Sequence, residues 1–219
     1  MPDELIATDL LRIARDPGTG RLARRNTLAV GLRAALLAEL ALAGQIVDYA
    51  GAPYAISTAP NKHRFLDQIR DAVAARPGVS WPRWFRHVHG DRVALVNELV
   101  NDEVWTPVGR NRYVDVDATS MVDRGRRVTA VAVLRKPPVD APDAVLAMLL
   151  VICGATAVPE TIGRPPARPS PRPKAMRQEL RPLLDTIGPL DDPVRIAVQH
   201  AVGTGATVVR KVRRGRMVA

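Results

Sequence analysis

The chain has 219 residues, a formal net charge of +10, 47% hydrophobic residues and only 4% aromatic ones. The apolar share excludes a disordered chain. The single cysteine, Cys153, excludes a disulfide scaffold or a cysteine-rich zinc module, and the length fits one core-forming domain.

In chain order, residues 3–15 place Leu5, Ile6, Leu10, Leu11 and Ile13 at helical spacing. Asp16-Pro17-Gly18-Thr19-Gly20 then stops the helix with turn chemistry. Asn26 or Thr27 is the expected cap of a second helix reaching Ala43, apolar nearly all round and therefore central, which Gly44 ends. Residues 45–49 and 54–57 read as two short strands joined through Gly51-Ala52-Pro53. Helices follow at 62–75, at 80–87 and at 91–102. The second of these carries Trp81, Trp84 and Phe85, a cluster read as core in preference to an interfacial anchor.

Val104 to Thr106 and Arg112 to Val116 read as a hairpin around Gly109. A basic helix spans 119–135 and Lys136-Pro137-Pro138 ends it. Residues 140–153 form a buried apolar helix. The apolar run 144–158 is shorter than the roughly 20 residues a bilayer span needs. Residues 159–174, rich in Pro and Arg, read as an exposed loop. Two more helices, 175–186 and 192–202, precede a basic tail. The predicted class is mainly α: a single compact helical domain, 1–209, around a central apolar helix, with one or two small β-hairpins and a basic tail, 210–219.

The positive charge predicts attraction to polyanions. Of the 32 basic residues, 28 are arginine. Arginine grips phosphate in a planar, bidentate way, although a GC-rich genome also favours it. The chain opens on Met1-Pro-Asp-Glu-Leu5, acidic where a secretory leader would be basic, and this predicts a cytoplasmic protein. His87-Val88-His89 with Asp91 is a weak metal pattern, because no third ligand is evident, and no metal is expected. Gly203-Thr204-Gly205 before Lys211 does not have the spacing of a phosphate loop. No nucleophile–base pair, paired carboxylates or dinucleotide fingerprint stands out. A non-enzyme without a cofactor is the expectation.

The segment from Gly31-Leu32-Arg33 through the apolar run to Glu39-Leu40-Ala41-Leu42 and Gly44-Gln45-Ile46 resembles the Golgi phosphoprotein 3 family. Glu4-Leu5-Ile6 with the turn at Asp16 to Gly20, Leu95 to Val100 running into Val104-Trp105, and Asp143 to Leu150 follow in the family's order. The pattern is that of a bacterial-type member. The resemblance implies a mostly helical domain and peripheral membrane binding, at the cytoplasmic face, to the anionic lipid phosphatidylinositol 4-phosphate. It also implies homo-oligomerisation through a β-hairpin, which falls on Trp105, Arg110, Arg112 and Tyr113. The Gly-Leu-Arg arginine is Arg33. Two further basic residues three apart match Arg124 and Arg127, with Arg126 beside them. A tryptophan of eukaryotic members falls on Arg24 here. The family's membrane-dipping loop falls on 162–174, where Pro and Arg replace apolar residues and predict electrostatic contact.

The residues themselves support the same chemistry. Arg124 and Arg127 at i and i+3 share a helix face and could clamp one phosphate. Arg33 interrupts an apolar helix, so it needs a partner: a headgroup, or an Asp or Glu. Two alternatives stand beside the lipid reading. The helix 91–102 and the following hairpin, with Arg110 and Arg112 at its tip, also resemble a winged-helix unit, which would bind nucleic acid; this is less favoured than the lipid reading, because no DNA-binding motif requires the apolar helix from Gly31 to Ile46. A scaffold that binds acidic protein partners through the hairpin and tail is the other.

Overall fold

The computed structural model describes residues 5–22, 25–86, 89–134, 140–153 and 192–213. Among them are eight helices and two small antiparallel hairpins, with no larger sheet. The mainly helical class inferred from periodicity is therefore correct.

Helix α1 (Ile6–Ile13) lays its apolar stripe against α2 (Arg25–Leu42), and both pack on α7 (Ala141–Cys153). Helix α2 is the centre of the core. Leu28, Leu32, Leu36, Leu37 and Leu40 are all fully buried, and α1, α7, the helices Arg64–Ala74 and His89–Asn101, and the last helix surround it. Burying each such side chain stabilises the fold by about 1.5–3 kcal/mol relative to exposure. Asn26 and Thr27 do not cap α2, which begins one residue earlier at Arg25. Its end matches expectation. Gly44 adopts φ +64°, its N–H donates to Ala41 O (2.9 Å), and Gln45 N–H donates to Leu40 O (2.8 Å). These two bonds close a Schellman turn that satisfies the helix's terminal carbonyls.

The first hairpin pairs β1 (Ile46–Tyr49) with β2 (Ala52–Ala55). The turn is two residues long, Ala50 and Gly51, at φ +51° and +79°. Left-handed residues of this kind match the strand twist, so Ala52 and Pro53 belong to the strand and not to the turn. Pro53 is tolerated because both strands of a two-stranded sheet are edges.

Helix α3 (Arg64–Ala74) and the short α4 (Trp81–Trp84) follow. Trp81, Trp84 and Phe85 are core residues, each under 5% exposed. The Trp81 indole N–H donates to Asp48 Oδ1 at 2.6 Å, and its ring stacks on His200. Helix α5 (His89–Asn101) feeds the second hairpin, β3 (Trp105–Gly109) and β4 (Arg112–Asp115). Helix α6 (Ala118–Leu134) then packs on α1 and α7.

The last helix, α8 (Pro193–Arg213), runs eleven residues beyond the predicted end at Val202. It lies along α2. Gly203 and Gly205 lie inside α8, and Gly205 serves close packing: a Cβ there would stand 3.1 Å from Ala34 Cβ and 3.5 Å from Phe85. Arg210 and Lys211 are thus helical, and not part of a tail. The loop 159–174, the helix 175–186 and residues 214–219 lie outside the described residues.

Candidate anion-binding site

Arg33 sits in mid-α2 and turns towards α4 and α5. Its Nε and Nη2 donate to Asp91 Oδ2 and Oδ1 at 2.5 and 2.6 Å, a two-bonded ion pair with both side chains largely buried. Nη1 points to the Trp84 carbonyl at 3.5 Å. The carboxylate partner anticipated as one alternative for this arginine is therefore Asp91. An incoming phosphate has to compete with it.

Arg124 stands in the second turn of α6, between α1 and α7. Its Nη2 lies 2.8 Å from Asp9 Oδ2 and 3.3 Å from Asp143 Oδ1. Asp9 is fully buried. Burial pushes the Asp143 carboxyl above its ordinary range, the nearby Asp140 adds to this, and the charges of Arg124 and Arg127 oppose it. Asp140 also caps α7, its Oδ1 accepting the Asp143 N–H at 2.8 Å. Arg126 and Arg127 are exposed on α6. Arg126 makes only a long contact to Asp123, 3.4 Å. Arg24 lies outside the described residues. The partners of Arg33 are on α4 and α5 and those of Arg124 are on α1 and α7, so the two arginines are anchored to different neighbours.

The second hairpin is split between core and surface. Trp105 is 1% exposed, stacks on Tyr113 at a ring distance of 4.9 Å, and donates its indole N–H to Asp115 Oδ2 at 2.8 Å. Trp105 therefore anchors the hairpin inward and offers no surface to a second copy. Val108, Arg110, Arg112 and Val114 face outward.

Sequence reasoning missed a second group of charged residues. Arg12 donates from Nε and Nη2 to Asp115, both at 2.9 Å, inside the protein. Arg15 Nη1 donates to Tyr113 O at 3.3 Å. Gly20 completes the seam: its carbonyl accepts the Tyr113 N–H at 3.0 Å, and a Cβ at its φ of +68° would meet Tyr113 O at 2.7 Å. The available signal was the spacing of Arg12 and Arg15, three apart at the end of an apolar helix. Glu39 was passed over as well. Its Oε1 accepts the Ile6 N–H at 2.8 Å, so it caps α1 from within α2. Burial raises its carboxyl to about 8, against the opposing pull of the Ile6 and Ala7 N–H groups, and Asp9 adds to the rise.

Among the described residues no helix is long and apolar enough to cross a membrane. Among them, too, no group of three or more His, Cys, Asp or Glu could hold a metal ion. A family model described as Golgi phosphoprotein 3 (GPP34) matches residues 6–204. No curated protein matches the chain.

Proposed function

The chain belongs to the Golgi phosphoprotein 3 family, and from that premise we propose that it is a peripheral membrane protein that binds anionic phosphoinositide headgroups, phosphatidylinositol 4-phosphate foremost. Arg124, Arg126 and Arg127, within four residues of α6, carry this reading. A phosphomonoester headgroup bears close to two negative charges, and arginines at i and i+3 on one helix face meet such a group with planar, paired donors. Arg124 is already held in place by Asp9 and Asp143, so little side-chain entropy is left for it to lose on binding. Arg126 and Arg127 are exposed and add the attraction of the anionic leaflet, about 1 kcal/mol each. Arg33 contributes only where phosphate displaces Asp91.

This reading puts the protein at the cytoplasmic face of a membrane and assigns it no catalysis and no cofactor. The outward Val108, Arg110, Arg112 and Val114 supply a surface for pairing of two copies through the hairpin. Vesicle co-sedimentation tests the central claim. Vesicles containing phosphatidylinositol 4-phosphate should bind the protein more tightly than phosphatidylserine vesicles of equal charge, and Arg127→Ala should weaken the difference. Equal binding to both lipids would reduce the claim to a general basic surface. Stronger binding to duplex DNA, steeply dependent on salt and on Arg110 and Arg112, would favour nucleic acid instead.

A further inference from the structure

A partly open cavity of about 120 Å³ lies between the end of α1 and the first turns of α6. Its charged lining is Arg12, Arg15 and Arg126; its apolar lining includes Ile13 and Met121; among the described residues no acid lines it. The space is several times what one water requires.

The three arginines are not equivalent. Arg12 is neutralised by Asp115 through two hydrogen bonds. Arg126 reaches the rim from the exposed face of α6 and has only the long contact to Asp123. Arg15 is the unusual one. It is 7% exposed, and its Nη1 donates to the Tyr113 carbonyl. Its Nε–H is buried and has no acceptor among the described residues. A buried, charged donor without an acceptor is unfavourable, and an oxyanion in the cavity would relieve it. Asp16, the acid next to Arg15 in sequence, feels the Arg15 charge but accepts its hydrogen bonds elsewhere: its Oδ1 accepts the Thr19 N–H at 2.7 Å and the Thr19 hydroxyl at 2.9 Å.

We infer that this cavity is a ligand site for an oxyanion, phosphate or carboxylate, carried on a short apolar stem, with Arg15 as the buried donor, Arg126 as the outer one, and Ile13 and Met121 against the stem. The cavity shares only Arg126, at its rim, with the headgroup reading; its buried donor and apolar wall lie apart from the Arg124 and Arg127 pair, and it stands or falls without that reading.

Calorimetric titration of the full chain at low ionic strength tests it, with butyl phosphate, butyrate and inorganic phosphate as probes. Saturable binding of butyl phosphate is expected, with weaker binding of inorganic phosphate, which has no stem. Arg15→Met keeps the side-chain length and removes the donors, and should lower the affinity by roughly tenfold to a hundredfold. Because Arg15 is buried, Ala118→Leu is the companion variant. Ala118 also lines the cavity, and the larger side chain fills the stem's place without touching a charge. It should abolish binding while the unfolding midpoint of the unliganded protein holds. Phosphatidic acid vesicles identify the source. Release from them by butyl phosphate assigns the anion to a lipid, and binding of soluble butyl phosphate without release assigns it to a free organic acid. No saturable binding to the natural chain, equal affinity for inorganic phosphate, or unchanged affinity in both variants overturns the site. Loss in Ala118→Leu with phosphatidylinositol 4-phosphate binding intact separates this site from the headgroup one.

Discussion

Arg12 and Asp115, 103 residues apart, meet in a buried pair of parallel hydrogen bonds, and Asp115 also accepts the Trp105 indole N–H. One carboxylate thereby ties α1 to both strands of the second hairpin. Burial disfavours its charge. The bonds from Arg12, Trp105 and the Asp117 N–H, with the Arg12 charge, outweigh that and hold the carboxyl below its ordinary range.

Asp115→Ala should therefore be severe. It leaves a buried guanidinium and an indole N–H unpaired, a loss of about 3–5 kcal/mol. Urea unfolding measures it. Arg12→Met on top of Asp115→Ala should recover part of the loss, since it removes the orphaned charge. The pH signature follows from the lowered carboxyl. The folded chain binds its proton less readily than the unfolded one, so the Asp115 contribution is full above the ordinary value of 3.8 and is lost as pH falls through the folded value. A natural chain and an Asp115→Asn variant that lose stability in parallel on acidification would contradict this.

Glu39 has the opposite sign. Its folded value of about 8 lies above the ordinary 4.5, chiefly through burial. Between these two values the folded chain holds a proton that the unfolded chain releases. The stability gained is full below pH 4.5 and declines as pH rises to about 8, by roughly 4–5 kcal/mol if Glu39 alone acts. Glu39→Gln keeps an acceptor for the Ile6 N–H and cannot ionise. It should flatten the stability profile and be the more stable protein at pH 8, as read from denaturant midpoints across that range. A natural chain equally stable at pH 5 and pH 8 would contradict the assignment.

Gly31 explains one element of the Gly-Leu-Arg segment. A Cβ there would fall on Cys153 Sγ and stand 3.3 Å from Leu10 Cδ2, so the glycine lets α1 and α7 approach α2. Helix propensity alone favours Gly31→Ala by about 1 kcal/mol. Overpacking at a fully buried three-helix contact costs typically 1–3 kcal/mol, and should prevail. Gly31→Ala is expected to lower the unfolding midpoint, and Gly31→Ala with Cys153→Ala to restore it. A stabilised single variant would show that the helices separate easily.

Much of this was legible in the sequence, and the misses share a cause. The residues of α2 and α7 are apolar nearly all round, as those of no solvated helix are, so the core and the mainly α class follow from local pattern. Trp81 and Phe85 read as core on composition, since an aromatic cluster packs inward more often than it anchors to a membrane, and both are buried. Long-range pairing left no such trace. Nothing in the spacing around Arg33 names Asp91, 58 residues on, and Arg12 and Asp115 are further apart still. The end of α8 was placed eleven residues short, because packing of Gly205 on Ala34 and Phe85 carries the helix through two glycines of weak local propensity. Trp105 was grouped with a surface although its indole turns inward to Asp115.

The arginines of the proposed headgroup site can be separated by two measurements on the same variants. Arg33→Ala leaves Asp91, 4% exposed, without its two-bonded partner, and should destabilise the fold by about 3–5 kcal/mol. Arg127→Ala removes an exposed charge and should change stability by no more than about 0.5 kcal/mol. Binding to phosphatidylinositol 4-phosphate vesicles should respond in the reverse order of severity. Arg127→Ala weakens it directly, whereas Arg33→Ala matters only to the extent that phosphate displaces Asp91. Asp91→Asn decides whether it does. If the headgroup competes for Arg33, the weakened pair releases the guanidinium, and vesicle affinity rises although stability falls. If affinity falls together with stability, Arg33 serves the fold alone, and the headgroup contacts lie on α6.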